Sequence, residues 1–382
     1  MKKIVIIGAG ASGVLCSIYL KRWITDIEVC ILEANQSPLK KLLATGNGRC
    51  NLSNKDMNIH HYYGEEIKKI EKLLDYDIED EFFQLGILTK YNNNLLYPRS
   101  EQALTVKNCL YQLSLSLGVK YFFEQEVIKI DYQNKYVMTK NAAYQFDDCI
   151  LAFGSPAGGL SLKTFDRYQM LEDLNLKINP LRSALVQMKT KPSFPKLKGV
   201  RVKGTFSIYD GRELIKQEKG ELLFTQDGVS GIAVMQLSRY FNNNPLYLEI
   251  DMFDDYTEKE LYKMIVSRQQ VGYNHFYDGL VNSKIAIELE KKSLKSVNDI
   301  VNALKHMRIQ IIGLRDETFA QVMRGGLSLN EVNESLQLIN YPHLYAMGEL
   351  LDVTGDCGGY NLHFAFCSSY CVAKALERKY YA

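Results

Sequence analysis

A chain of 382 residues exceeds what one compact core ordinarily organises, so two or three domains are expected. Lys and Arg total 46 against 44 for Asp and Glu, so the overall balance points neither to nucleic acid nor to an anionic membrane, although a local basic patch is compatible with it. The cysteines at 16, 30, 50, 109, 149, 357, 367 and 371 form no C-x-x-C, which excludes a dithiol redox motif and a cysteine zinc site and fits reduced thiols in a cytoplasm.

Met1-Lys2-Lys3 and the apolar run to Leu20 resemble a secretory signal with a lipid-acceptor cysteine at Cys16. Leu15, however, stands where a small residue is required, and the glycines suit a phosphate loop better than an apolar helix. No later stretch is long and apolar enough to span a bilayer.

Lys3 to Ile7 is a short β-branched run of the kind that forms a strand buried on both faces, and Gly8-x-Gly10-x-x-Gly13 turns it into a helix. Gly8 permits the tight turn, Gly10 lets a pyrophosphate approach, and Gly13 lets helix and strand pack closely. The helix N-terminus then faces the phosphates. A second strand, Glu28 to Leu32, ends at Glu33, whose carboxylate suits ribose hydroxyls and disfavours a 2′-phosphate.

Lys40 to Asn54 lacks either periodicity and reads as a loop, with glycines and short polar residues freeing N–H groups for a ligand and Arg49 supplying a forked cation. By spacing alone, a surface turn with an arginine salt bridge fits as well. Residues 61 to 118 read as helical, interrupted at Asn92-Asn93-Asn94, and apolar positions 103, 106, 110, 113 and 117 mark a helix over Glu101 to Leu117. Strands follow at Glu126 to Ile130 and Cys149 to Phe153, the latter running into Gly154.

From Ala184 to Phe253 the texture becomes short β segments, with a hairpin signal at Asp210-Gly211. Gly220 to Gly231 reads either as a loop at a domain junction or as a strand-to-helix turn. Residues 254 to 306 are helical, with Thr257 as a cap and Glu288 to Lys292 as a solvated face. Strand texture resumes at Arg308 to Leu314, and Phe319 to Leu327 returns to the first domain.

Three segments carry a family likeness: Lys41-Leu42-Leu43-Ala44-Thr45-Gly46-Asn47-Gly48-Arg49-Cys50-Asn51, Leu344 to Val353 with Gly348-Glu349, and Gly358-Gly359-Tyr360-Asn361-Leu362. Together they resemble the signatures of the HI0933-like flavoproteins, the BaiN and aminoacetone oxidase family of FAD-dependent oxidoreductases. Gly220 to Gly231 resembles a further signature, with Ile232 where a proline is common, whereas Leu160 to Tyr168 departs from the glycine-rich segment of many members. The fold class implied is α/β, a discontinuous Rossmann-like FAD-binding domain (1–180 and 315–382) with an inserted β-barrel-like substrate domain (181–253 and 307–314) and a small helical insertion (254–306). The active site would lie where the two domains meet.

FAD is preferred to NAD because the motifs lie at both ends of the chain. With no second glycine-rich nucleotide unit, NAD(P)H would dock only transiently. The motifs and the resemblance together imply cofactor contacts from Gly8, Gly10, Ala11, Ser12, Gly13, Glu33, Ala34, Lys41, Thr45, Gly46, Asn47, Gly48, Arg49, Cys50, Asn51, Val127, Ala152, Gly154, Gly348, Glu349, Gly359, Tyr360, Asn361 and Leu362. Val127 would meet the adenine side through its backbone, and the last helix would stabilise negative charge near flavin N1 and O2. The candidate catalytic residues are Tyr360, Asn361, His363 and Arg49, with Cys50 weighed as a further proton donor and then read as packed under the flavin; no metal site is expected. Cys367 and Cys371 read as core residues.

The implied chemistry is hydride transfer between flavin N5 and an organic substrate, leaning to NAD(P)H-dependent reduction of an enone. The alternatives are an oxygen-dependent amine or aminoacetone oxidase and, in another class, an FAD-containing RNA- or partner-binding protein. A small-molecule substrate, no nucleic acid, no membrane, and a monomer or small homo-oligomer are the expected partners.

Overall fold

The apolar runs of the chain pair as a parallel sheet. The structure, a computed structural model, describes residues 1–159, 167–242, 244–292 and 294–381. The chain divides into two compact units, Met1–Arg182 with Val322–Ala382, and Ser183–Gln321.

In the first unit five parallel strands lie in the order Leu344–Ala346, Asp148–Leu151, Lys2–Ile7, Ile27–Leu32, Lys120–Phe122. Strands later in the chain extend the sheet to one side of Lys2–Ile7 and then to the other, so the order reverses between Lys2–Ile7 and Asp148–Leu151. In an open parallel sheet such a reversal opens a crevice beyond the strand C-termini, where ligands bind. The helix Ala11–Trp23 is buried on every side over Ser12 to Leu20, which is why its sequence is apolar all round. Ser17, buried within it, returns its hydroxyl to the carbonyl of Val14 at 2.7 Å. The long helix Tyr360–Tyr381 closes the unit.

The structure corrects two local readings and decides between the alternatives of a third. The segment read as a loop from Lys40 begins with one helical turn, Lys40–Ala44, before glycine conformations take over at Gly46 and Asn47. The helical reading of 61 to 118 holds only in part. Short helical pieces Ile67–Leu73 and Ile78–Gln84 precede a hairpin, Thr89–Asn92 against Leu95–Pro98, and then comes the helix Ala103–Ser116. The asparagines are the hairpin turn, with Asn93 at φ +53, and a four-residue strand is too short to impose its own periodicity on a sequence window. Of the two readings of Gly220 to Gly231, the strand-to-helix turn is found and the junction loop is not: strand Glu213–Phe224 turns into strand Gly228–Ser230, and Gly231 caps the helix Ile232–Ser238. The departing segment Leu160 to Tyr168 lies outside the described residues except for Arg167 and Tyr168.

The second unit is a closed six-stranded barrel in the order Met188–Lys191, Gly228–Ser230, Glu213–Phe224, Arg201–Asp210, Leu246–Asp251, Met307–Leu314. Every pairing round it is antiparallel. Alternate residues Phe206, Ile208, Leu222, Phe224, Leu246, Leu248, Ile250, Ile309 and Ile311 are buried, the period-two pattern of a filled interior. The hairpin loop is Gly211-Arg212, with Gly211 at φ +57. Helices Glu258–Val271, Ser283–Glu290 and Val297–Lys305 interrupt the barrel between its last two strands, the first with the capping box Thr257/Glu260. Among the described residues no helix is long and apolar enough to cross a membrane.

Candidate cofactor and active site

Each glycine of the first turn has a different steric reason. A Cβ on Gly8, at φ +108, would lie 2.5 Å from the Ala152 carbonyl oxygen, and one on Gly13 would lie 2.1 Å from the Gly8 carbonyl oxygen. Both positions are closed by the packing of strand, turn and helix. Gly10 differs, because a Cβ there would meet only the Ala152 oxygen at 4.0 Å. The open space beside Gly10 lies at the N-terminus of Ala11–Trp23, which carries no acidic residue in its first turn and no side-chain cap from Gly10.

Glu33 follows the second strand and is nearly buried. Its Oε2 accepts from the Ala9 N–H at 2.9 Å, and Oε1 accepts from the backbone and side-chain N–H groups of Asn35 at 2.8 and 2.6 Å. The carboxylate is thereby fixed against the glycine turn while Oε2 keeps a lone pair for a hydroxyl. Ala152 continues the strand Asp148–Leu151, its N–H donating to the Ile7 carbonyl at 2.9 Å, and Gly154 follows at φ +66 with nothing within 4 Å of a would-be Cβ. Val127 begins a separate three-stranded antiparallel sheet and is buried.

At the crevice, distant segments meet. Lys41 pairs with Glu349, and the Ser155 hydroxyl donates to the other Glu349 oxygen at 2.7 Å. Gly348, at φ +65, leaves room for Ser12: a Cβ there would lie 2.7 Å from its Oγ. The Gly348 N–H donates to Ser368 at 3.0 Å. The strand before this turn ends at Ala346, and Gly348–Leu350 is a turn of 3-10 helix. Ser155 and Ser368 were not singled out in the sequence, where only the neighbour Gly154 drew attention to the former.

The Thr45 to Asn51 loop and the C-terminal segment form a second cluster. Cys50 is fully buried at φ +63, and burial pushes its thiol up to about 12. Arg49 lies over the Tyr97 ring at 5.0 Å. With its amide oxygen toward Gly359, Asn51 accepts from that N–H at 3.1 Å and donates to the carbonyls of Ser53 and Leu96. Gly359 sits so close to Ser53 that a Cβ would lie 2.5 Å from its carbonyl oxygen. Asn361 closes its own loop, accepting from Gly355 N–H at 2.8 Å and donating to the carbonyls of Gly355 and Asp356.

Tyr360 is clamped. Its ring stacks on His61 at 4.4 Å and meets Tyr62 edge-on at 5.9 Å, and the Tyr62 hydroxyl donates to the Tyr360 carbonyl at 2.9 Å. His61 in turn bridges Asp356 at 2.9 Å and Asp56 at 3.0 Å. Burial, reinforced by the charges of Asp56 and Asp356, pushes the Tyr360 phenol well above its ordinary value. His363 is only 3 % exposed; its Nε2 donates to the Leu74 carbonyl at 3.0 Å and its Nδ1 accepts from the Ser53 hydroxyl at 2.9 Å. Desolvation lowers its pKa to about 4. Both ring nitrogens therefore serve the packing of the last helix. His61, Tyr62, Asp56 and Asp356 left no sequence signal, because they belong to no local pattern.

The HI0933-like protein Rossmann domain profile matches residues 2–375. The 3-dehydro-bile acid delta(4,6)-reductase of Clostridium scindens is 31% identical over 408 residues, covering 99% of this chain and 100% of that one. The ribosomal RNA dihydrouridine synthase of Haemophilus influenzae is 25% identical over 405 residues, covering 98% of each chain. Among solved structures, the 3-ketosteroid-delta4-(5alpha)-dehydrogenase of Rhodococcus jostii RHA1 shares the fold at a TM-score of 0.51 and 13% identity over 97% of each chain. A quinol-fumarate reductase does so at 0.53 and 11% identity, over all of this chain and 72% of that one.

Proposed function

The chain belongs to the HI0933-like family of FAD-dependent oxidoreductases, and we propose that it reduces a carbon–carbon double bond conjugated to a carbonyl, with NAD(P)H as the source of electrons. The observation that carries this reading is full-length similarity, at 31% identity, to a reductase of unsaturated 3-oxo bile acids.

The residues present fit FAD. Gly10 and Gly154 are open where a Cβ would meet nothing closer than 4.0 Å, a helix N-terminus without cap or acid stands beside them, and Glu33 is fixed at the end of the second strand. In this reading Gly8 to Gly13 receive the pyrophosphate, Glu33 the ribose, and the Lys41–Glu349–Ser155 set the polar chain between phosphate and ring. FAD supplies the hydride carrier at N5. The chain supplies the proton: Tyr360 Oη is the candidate donor to the carbon next to the carbonyl, its ring held by the His61 stack and the Tyr62 edge contact and its backbone carbonyl by the Tyr62 hydroxyl. Among the described residues the strands of the second unit pair only antiparallel, as a barrel with helices.

A second reading is favoured by the dihydrouridine synthases. The C5–C6 double bond of uracil is also conjugated to a carbonyl, so one hydride chemistry serves both an unsaturated ketone and a uridine in RNA. The test is product analysis with NADPH or NADH under argon, offering an unsaturated 3-oxo steroid and a uridine-containing RNA, with a parallel reaction in air offering aminoacetone. A product gaining two hydrogens supports the proposal; consumption of aminoacetone in air with neither acceptor reduced under argon overturns it.

A further inference from the structure

The near-neutral total conceals a concentration of charge on the barrel unit. From Lys189 to Lys203 the chain carries six cations, at 189, 191, 196, 198, 201 and 203, and no carboxylate, and all six are exposed. Lys189 and Lys191 stand on a strand three places round the ring from Arg201–Asp210, across the barrel. Lys198 and Arg201 instead meet Lys284, Ser283 and Asn282 around the turn at Gly199, lining a cavity of about 440 Å³.

Charge in this cavity is poorly compensated. Arg201 pairs with Glu221, and nearby Glu288 is taken up by Lys291. Lys198 and Lys284 make no side-chain hydrogen bond or ion pair among the described residues. Ser283 opens the helix Ser283–Glu290, capped by Asn282 through the Lys284 N–H at 3.0 Å, so a helix N-terminus adds to the same positive field. Among the described residues no aromatic side chain lines the cavity, so none of them can stack a base there.

We propose that this cavity, through Lys198, Arg201 and Lys284, holds a backbone phosphate of single-stranded RNA. The proposal rests on the uridine reading above. Cations without stacking partners position a strand and carry no sequence information, so this contact would hold the RNA while another part of the protein selects the base.

The experiment uses the full FAD-loaded chain and a labelled oligouridylate, with affinity measured across salt concentrations. For the double variant K198A/K284A the expected result is a salt slope smaller by about 1.4, from about 0.7 per cation on a single strand, and affinity weaker on the order of tenfold at low salt. The variant K189E/K191E, across the barrel, should bind as the parent does. Reduction of a small unsaturated ketone, followed in parallel, should be the same in all three proteins, which separates this proposal from the reductase reading. An unchanged slope in K198A/K284A overturns the proposal, and so does an equal loss in K189E/K191E. It also falls if the double variant binds oligouridylate normally but loses NADPH relative to NADH, or loses only competition by inorganic phosphate.

Discussion

Lys41 forms an ion pair with Glu349, a residue 308 positions away, and the Ser155 hydroxyl occupies the remaining Glu349 oxygen. This contact ties both ends of the chain to one crevice. Both partners are partly exposed, so the pair contributes under about 1 kcal/mol to stability. Glu349→Gln is expected to fold normally, keep the Ser155 hydrogen bond, and retain FAD about tenfold less tightly, a loss readable by equilibrium dialysis of the flavin.

Two glycines of the first turn should respond in opposite ways. Gly13→Ala places a Cβ 2.1 Å from a carbonyl oxygen in a packed turn, and should lower the melting temperature steeply or prevent folding. Gly10→Ala meets nothing closer than 4.0 Å and should melt near the parent while losing the visible flavin spectrum. Equal destabilisation in both would show that Gly10 is a packing residue.

His363 should make the fold acid-sensitive. Its pKa is lowered from 6.5 to about 4, so the folded state resists a proton that the unfolded chain accepts. The stability it contributes is complete above pH 6.5 and is lost as pH falls from 6.5 toward 4, reaching about 3 kcal/mol at the lower end. His363→Gln can still donate to Leu74 and accept from Ser53, so it should flatten that decline in urea unfolding curves between pH 7 and 4.5, a range that spans most of the fall. A parallel decline in parent and variant would assign the acid sensitivity elsewhere.

Tyr360→Phe removes the phenol and keeps the stacked ring. The expected outcome is normal flavin content, unchanged reduction of the bound flavin by NAD(P)H, and turnover of the unsaturated ketone slower by on the order of a hundredfold. Rapid-mixing absorbance separates the two half-reactions. Slowing confined to flavin reduction would remove Tyr360 from the proton step.

What the sequence made legible was whatever a short window could hold. Gly8 to Gly13 and Glu33 lie within one strand–helix–strand unit, and the β texture from Ala184 with its Asp210-Gly211 turn signal announced the barrel's longest hairpin. The hairpin at Asn93 was misread because strands of four residues carry too little alternation against a helical background. Ser155 on Glu349, or His61 between Asp56 and Asp356 beneath Tyr360, could not be read at all, since the partners lie up to 295 positions apart and only the folded sheet brings them together. Local chemistry marked the glycine turn and its acid; the groups around the candidate proton donor came from tertiary packing.

The most direct measurement starts from the purified chain with its bound flavin reduced under argon. Reoxidation is then followed against air, against an unsaturated 3-oxo steroid, and against uridine-containing RNA. Rapid reoxidation by one of the conjugated acceptors with slow reoxidation by air is the predicted result. Rapid reoxidation by air with neither acceptor consumed would contradict the account.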